Sequence, residues 1–478
     1  MMMLERLRAF LRTRAAQTYL VGGTVRDLLL GRAIHDVDVV VAGDASALAR
    51  AFADEIGAAF YVMDESFDVA RVIWDSGTTR ALVDFARLRG QDIAQDLQMR
   101  DFTVNAMAAD AVNWQGAAAA VIDPLNGLGD LAAKRLRAVS DEIFRNDAVR
   151  LARAVRLETE LHFVADDATA ALLRRDAPLL AHAPSERVRD ELMRILGADD
   201  VLAALRRLDA FALLGSILPE VEALRGVTQS SPHIYDVWEH SLRAVAAAAE
   251  TERAQYANLA DGAFTAQLAA HFAARPMGGY TRREMLRLTL LLHDIGKPAT
   301  RSVEPSGRIR FLGHAEQGVA LALPALRRLR FSNEQIHWVK TIIANHLRPL
   351  LLAQNGMSRR ALYRYFRATG DAGVDTAAHA WCDQRATYGD ALPSAVAAAQ
   401  QTVMTRMFDA YFNAHAQQIA PPPLLNGNEV MAHLELAPGP RVRAALEAAL
   451  EAQALGEITT RDEALAFLKT HWADEQKL

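Results

Sequence analysis

Asp36 and Asp38 stand one residue apart in the run His35-Asp36-Val37-Asp38-Val39-Val40-Val41, whose alternation predicts a strand. On a strand the two carboxylates share one face, and Val37 and Val39 share the other. Like charges so placed repel unless a divalent cation lies between them. Just upstream is the turn Gly22-Gly23, followed by a short helical piece, Val25 to Leu30, that Gly31 closes. Such a turn offers backbone N–H groups to phosphates, helped by the helix N-terminus behind it. Turn and acid pair together imply a nucleoside triphosphate held by Mg2+. The spacing in GGTVRD excludes an ordinary dinucleotide-binding domain, which requires GxGxxG.

A second constellation lies in the other half of the chain. It comprises His240 in IYDVWEHSL, His293-Asp294 in LLLHDIGKP, His314 in GHAEQG, His346 in IIANHL and Asp383 in WCDQRA. The apolar run Leu288–Leu292 predicts a buried helical segment that delivers His293 and Asp294 to a pocket. An adjacent His-Asp ending an apolar helix is more informative than the lone helical histidines, which are usually surface or satisfied-core residues. Cys382 is the only cysteine, which excludes an internal disulfide framework and a cysteine zinc cluster.

The elements that must position these groups are legible from periodicity. Residues 1–17 predict an amphipathic helix, 44–57 a helix stopped by Gly57, and 58–64, 67–75 and 79–88 three further strands. Asp84, between Val83 and Phe85 on the last strand, points away from its apolar neighbours. Residues 91–100 predict a loop feeding a helix at 101–106, with Phe102 and Ala106 turned inward. A long helix is expected over 141–160, with Asp147, Arg150 and Arg153 on one face. An aspartate accepts from an amino group and an arginine donates to ring acceptors. A rigid Asp147/Arg150 pair one turn apart is therefore suited to reading the Watson–Crick edge of a nucleotide without a template. Residues 165–220 predict helices throughout, with Ser185 as an N-cap. The segment 250–280 is alanine-rich and carries no chemistry. After 390 come long helical runs, with short helices set off by Asn426-Gly427 and Pro438-Gly439-Pro440.

A chain of 478 residues, 51% hydrophobic and 23% charged, is a folded protein of two to four domains. Its net charge of −5 gives no support for a nucleic-acid partner, and only five of its 53 basic residues are lysines. No run reaches the length of a membrane span and the N-terminus lacks a signal-peptide core, so the expectation is no membrane and a cytoplasmic location.

GGTVRD with Asp36-x-Asp38, RDFTVNA at 100–106 and DAVRLARAVRLE at 147–158 resemble the class II tRNA nucleotidyltransferase and poly(A) polymerase family. The resemblance implies catalytic roles for Asp36, Asp38 and Asp84, with Mg2+ on the first two. It implies nucleotide binding by Gly22, Gly23, Arg26, Asp27, Arg100, Asp101 and Asn105, and base selection by Asp147 and Arg150 in a motif that continues through Arg153 and Arg156. The family motif has Glu before the aspartate; here it is Asn146. LLLHDIGKP and its companions resemble the HD phosphohydrolase superfamily. That likeness implies one metal on His240, His293, Asp294 and Asp383, with His314 and His346 extending the site. Mixed imidazole and carboxylate ligation suits Mn2+, Ni2+, Fe or Zn2+ better than an all-oxygen Mg2+ site. Asp375 competes with Asp383 for the last position, and Asp383 fits the helical D-x-R-A context better.

The implied fold class is α+β: a small mixed β-sheet head over 1–139, a helical neck over 140–229, an HD domain over 230–390 and a helical tail over 391–478. The implied activity is addition of CCA from CTP and ATP to the 3′ end of tRNA, whose acceptor arm is recognised by shape. The rivals are a poly(A) polymerase, a CC-only or A-only enzyme, and an HD phosphohydrolase whose head only binds RNA.

Overall fold

The acid pair lies on the second strand of a six-stranded mixed sheet. Its strands are β1 (Thr18–Val21), β2 (Asp36–Val41), β3 (Ala59–Asp64), β4 (Val69–Asp75), β5 (Arg80–Arg87) and β6 (Ala108–Asp110), in the order β3-β4-β5-β2-β1-β6. Only β2 and β5 run parallel, and their register sets Asp38 directly opposite Asp84. β4 pairs antiparallel with β5 and sets Arg71 opposite the same Asp84. Alternation then sorts the faces. Val37, Val39, Val83 and Phe85 are buried on one side, while Asp38 and Asp84 look out from the other.

Three helices complete this layer: α1 (Met2–Leu11), α2 (Gly23–Leu29) and α3 (Ala45–Ile56). Asp44 caps α3 by accepting from the Ala47 N–H at 2.8 Å, and Gly57 ends it in the left-handed region at φ 65°. Phe10 on α1 meets Phe52 on α3, and Phe52 meets Phe85 of the sheet, as tilted ring pairs with centres 5.1 and 5.9 Å apart. Each such burial contributes on the order of 2–3 kcal/mol.

The computed structural model describes residues 2–34, 36–75 and 80–475, with side chains to 470. His35 and Thr79, which open two of the expected strands, lie outside the described residues. The chain falls into two compact units, one running to Glu191 and including Arg207–Ser216, the other formed by Leu192–Arg206 and Ile217–Leu478. Beyond the sheet the chain is mostly helical, so the α+β class holds.

Three local expectations are corrected. The helix expected over 141–160 is broken: a short turn covers Ile143–Asn146, Asp147 is extended at φ −156°, and α4 begins at Val149 and runs to Leu161. The break arises because the Asp147 carboxylate accepts from the Val149 N–H, the local bond by which aspartate competes with helix. At 101–106 there is no α-helix. Phe102 bridges to Ala138, and only Thr103–Asn105 make a 3-10 turn before β6. Ser185 is the first residue of its helix and not its cap, since the Arg187 and Val188 N–H groups both donate to the Pro184 carbonyl.

The second unit gathers helix ends onto one spot. α5 (Val237–Arg253), α6 (Arg282–Leu292), α7 (His314–Arg328), α8 (Asn333–Asn345) and α9 (Gly373–Tyr388) pack around it, and the hairpin of β7 (Arg301–Val303) with β8 (Ile309–Phe311) borders it. α6 and α8 both start with capping boxes, Thr281/Glu284 and Ser332/Gln335. His293 and His346 follow directly on the last residues of α6 and α8, and His314 opens α7. Among the described residues no helix is long and apolar enough to cross a membrane.

Candidate active site and metal centre

In the first unit the chemistry begins at Gly22. It takes φ +64°, and a Cβ there would sit 3.1 Å from Arg100 Nη1 and 3.4 Å from Asp38 Oδ2, so only glycine lets the turn approach both. The Gly22 N–H is itself committed to the Met107 carbonyl at 3.3 Å. Thr24 Oγ1 accepts from the Asp38 N–H at 2.8 Å, which ties α2 to the acidic strand.

Asp38 is half-buried between Asp84 and Asp36. Burial, then repulsion from Asp84 and Asp36, pushes its carboxyl up to about 6 against the opposing pull of Arg100 and Arg26. The pocket is therefore short of positive charge, which fits a divalent cation. Asp84 is gripped by Arg71 through two bonds of 2.7 Å. Asp36, at the mouth of β2, is exposed.

Behind the turn runs a chain of charge-assisted bonds. Arg26 donates to Asp27 at 2.9 Å twice and to Asn105 Oδ1 at 2.5 Å, and Asn105 Nδ2 donates to Asp101 at 3.1 Å. Burial would raise Asp101, but Arg153, Asn105 and the Phe102 N–H win and hold it below the usual carboxylate range. Arg100 is steadied by Asp96 at 3.0 and 3.1 Å, a carboxylate that Arg89 also shares.

Arg100 also opens onto a cavity of about 720 Å3 lined by Asn146, Asp147, Arg150, Arg187 and Phe67 among others. Such a volume suits a nucleotide. Asp147 and Arg150 thus share the cavity, but they do not form a tight pair with each other. Asp147 accepts from Arg187 at 2.7 and 3.1 Å, while Arg150 lies 3.7 Å from Asp147 and donates to the Met99 carbonyl at 3.3 Å. Arg153 and Arg156 turn elsewhere. Both donate to Glu191, at 3.0 and 2.6 Å, and line no part of the cavity. They fix how α4 is rotated about its axis, and Arg153 adds a 3.3 Å bond to Asp101.

Arg71 and Glu191 escaped the sequence reading. Arg71 sits between Ala70 and Val72 on an alternating strand, a signal that was present. Glu191 lies 38 residues from Arg153, and no local pattern announces that pairing.

In the second unit the six expected ligands converge. His240, His293 and Asp383 bring donor atoms within 4.8 Å of one another, and Asp294, His314 and His346 do the same. All six are buried. His240 Nε2 lies 2.9 Å from Asp383 Oδ1, His293 Nε2 lies 3.1 Å from Asp294 Oδ2, and His314 Nε2 lies 3.2 Å from His346 Nε2. His293, His314 and His346 each place Nδ1 at 2.7–2.8 Å from the carbonyl three residues back. That bond makes Nδ1 the N–H and aims the Nε2 lone pair inward, the arrangement metal-ligating histidines adopt. Oδ1 of Asp294 and Nδ1 of His240 are buried without a hydrogen-bond partner, and Nε2 of His240 and of His293 meet only the carboxylates of the cluster itself. Buried polar atoms are seldom left so, and this donor set fits a transition-metal ion. Burial would raise Asp294, but His293 and Lys297, whose Nζ is 2.7 Å away, hold it well below the usual range.

Asp375 is excluded from this centre. It pairs with Arg282 at 2.7 Å and His271 at 3.1 Å. Gly296 matters here for close approach: a Cβ on it would overlap the His314 carbonyl oxygen and the Gly318 nitrogen, so the HD turn and α7 meet backbone to backbone. Beside the centre lies a cavity of about 410 Å3 lined by Lys297, Arg308, His233 and Tyr388 among others. His379, absent from the sequence reading, is fully buried against the same cluster. Its spacing of four residues before Asp383 on one helix was the available signal.

Family models match the chain in the order of these units: "Poly A polymerase head domain" over residues 18–137, "Probable RNA and SrmB- binding site of polymerase A" over 162–224, and "HD domain" over 237–365. The class is that of a poly(A)-polymerase-type nucleotidyltransferase head joined to an HD domain. The A-adding tRNA nucleotidyltransferase of Deinococcus radiodurans is 34% identical over 462 residues, 95% of this chain and 95% of its own length. The CC-adding tRNA nucleotidyltransferase of Thermus thermophilus is 34% identical over 455 residues, 94% of this chain and 92% of its own. The chain belongs to the tRNA nucleotidyltransferase family. A solved structure of a CCA-adding enzyme in complex with CTP has the same fold, with a TM-score of 0.61 at 19% identity over 98% of this chain and 94% of that one.

Proposed function

We propose that the protein adds CCA, without a template, to the 3′ end of tRNA from CTP and ATP. The observation that carries this reading is Asp38, charge-starved beside Asp84 and touching the Gly22 turn, with Arg100 linking it to the arginine-lined cavity. On this reading Asp36 and Asp38 hold Mg2+, with Asp84 beside them. The ion, when bound, lowers the pKa of the RNA 3′-hydroxyl and offsets the charge of the departing pyrophosphate. Gly23 and Arg26 cradle the phosphates at the close approach that Gly22 permits, and Asp27 and Asn105 keep the Arg26 guanidinium aimed. Arg100 stands between triphosphate and base. Asp147 and Arg150 face the base edge, which replaces a templating strand.

The division of labour follows four segments: the head at 1–139, a neck at 140–229 that carries base selection, the HD domain at 230–390, and a tail at 391–478 that grips the acceptor arm. In the HD domain His240, His293, Asp294 and Asp383 hold Mn2+, Ni2+, Fe or Zn2+, extended by His314 and His346. Such a centre supplies an activated water for hydrolysing phosphomonoesters or 2′,3′-cyclic phosphates.

The test is incubation of the purified protein with tRNA lacking CCA, Mg2+, CTP and ATP, followed by sequencing of the 3′ ends. Tails ending in CCA are expected. No extension under varied metals, or long A tails, defeats the proposal. Supplying CTP and ATP separately resolves a second reading, addition of CC alone or A alone. This arm of the assay is needed because the names of the two relatives above specify A addition and CC addition.

Base selection has its own check. A well-oriented polar contact to the base contributes roughly 1–3 kcal/mol, so Arg150→Ala should cut discrimination among the four triphosphates about tenfold as well as slowing addition. Asn146→Glu restores the family carboxylate beside Asp147 and should tighten rejection of UTP and GTP. Unchanged selectivity in both variants would place base reading elsewhere.

A further inference from the structure

His379 has no exposed surface, and neither of its ring nitrogens has a hydrogen-bond partner. A buried imidazole left in that state carries the full desolvation cost of two polar atoms. It lies on α9 one turn before Asp383, so both side chains leave the same face of the helix toward the same cluster. Its ring centre is 5.0 Å from that of His293 and 5.7 Å from that of His346. Those two histidines belong to different donor groups, one with His240 and Asp383, the other with Asp294 and His314. A metal–nitrogen bond of about 2.1 Å puts an imidazole centre about 3 Å from its ion, so two imidazoles on one ion have centres about 5 Å apart. The pairs that lie within one donor group, His240–His293 at 5.5 Å and His314–His346 at 5.2 Å, have the same spacing. Packed histidines can share that spacing, but they do not need two vacant nitrogens.

We propose that His379 is a further ligand of the metal centre, set between its two donor groups. The proposal rests on the reading of the HD centre as a metal site. His379 raises the imidazole count around the centre to five, against the two carboxylates Asp294 and Asp383. A nitrogen-rich set of this kind takes a first-row transition ion such as Zn2+, Fe2+, Co2+ or Ni2+ and discriminates against Mg2+ and Ca2+.

A ligand and a packing residue answer opposite ways to His379→Phe. The phenyl ring fills the space and removes both vacant nitrogens, so the metal-free protein should melt at the same temperature or higher. The full-length chain, stripped with chelator and kept in excess Mg2+ to fill oxygen-ligand sites, is titrated with Co2+. Wild type should show a visible ligand-field band on binding. His379→Phe should weaken Co2+ affinity at least about tenfold and alter the band. His379→Asn, which keeps a polar group and guards against misfolding of the first variant, should do the same. An identical band and affinity in either folded variant overturns the assignment of His379 alone. A wild type that binds no Co2+ overturns the metal-centre reading and His379 with it.

Discussion

Asp38→Asn is expected to abolish nucleotide addition, by on the order of a thousandfold or more, and yet to make the free protein more stable above about pH 6. The first effect follows from losing a carboxylate at the point where charge must be held during phosphoryl transfer. The second follows from the elevated pKa. Burial, Asp84 and Asp36 push Asp38 from 3.8 to about 6, so the fold prefers its protonated form. The stability gained from that preference is complete below pH 3.8 and is lost as pH rises to about 6; above that the wild type folds against an uncompensated anion. A neutral amide of the same shape avoids the cost. At about 1.4 kcal/mol per unit, discounted because Asp38 keeps some solvent exposure, the gain is on the order of 1–2 kcal/mol. Thermal melts in chelator at pH 4, 5, 6 and 7.5 should show the two proteins together at the acid end and separating toward neutrality. Mg2+ should narrow the gap by stabilising only the wild type. Coincident melts at pH 7.5 would mean that the pocket is not short of positive charge.

Replacing His293 with Ala and Asp294 with Asn should remove the bound transition metal and abolish hydrolysis of a 2′,3′-cyclic phosphate or simple phosphomonoester. CCA addition should stay within about twofold, because the two chemistries draw their side chains from different compact units of the chain. Asparagine is chosen at 294 because Lys297 is buried with its Nζ 2.7 Å from that carboxylate. Truncation to alanine would leave a buried ammonium with only Gln229, 2.7 Å away, and breaking a buried pair in that way costs about 3–5 kcal/mol. Metal analysis together with a hydrolysis screen in Mn2+ and Ni2+ decides the matter. Undiminished metal content and turnover in the double variant would show that these residues only pack. Parallel loss of nucleotide addition would show that the two centres are coupled.

The groups that could be read along one element were legible. Alternation placed Asp36 and Asp38 on the open face of β2, and the apolar run before His293 announced a buried delivery helix. Legibility failed where partners come from elsewhere in the chain. Arg153 and Arg156 have the same helical spacing as Arg150, but Glu191, from another helix, turns them away from the cavity. Asp147 reads as helical by periodicity; its own carboxylate, bonded to the Val149 N–H, undoes that. Asp84 was identified, while the Arg71 that grips it follows only from strand order, which periodicity does not give. His379 lies four residues from both Asp375 and Asp383, but nearly every residue of α9 is buried, so the stripe does not stand out as the one buried face of an amphipathic helix.

The backbone-to-backbone meeting at Gly296 makes the histidine cluster a rigid gauge. His293 and Asp294 on one side and His314 on the other are spaced by a contact with no side chain in it to flex, so the opening between them is set before any ion arrives. On the reading of the cluster as a metal centre, a gauge of that kind would discriminate by ionic radius and preferred coordination, with little chain ordering left to be done on loading. Widening it by one methyl group, as Gly296→Ala must, would loosen the fit for small ions first and shift preference toward larger ones.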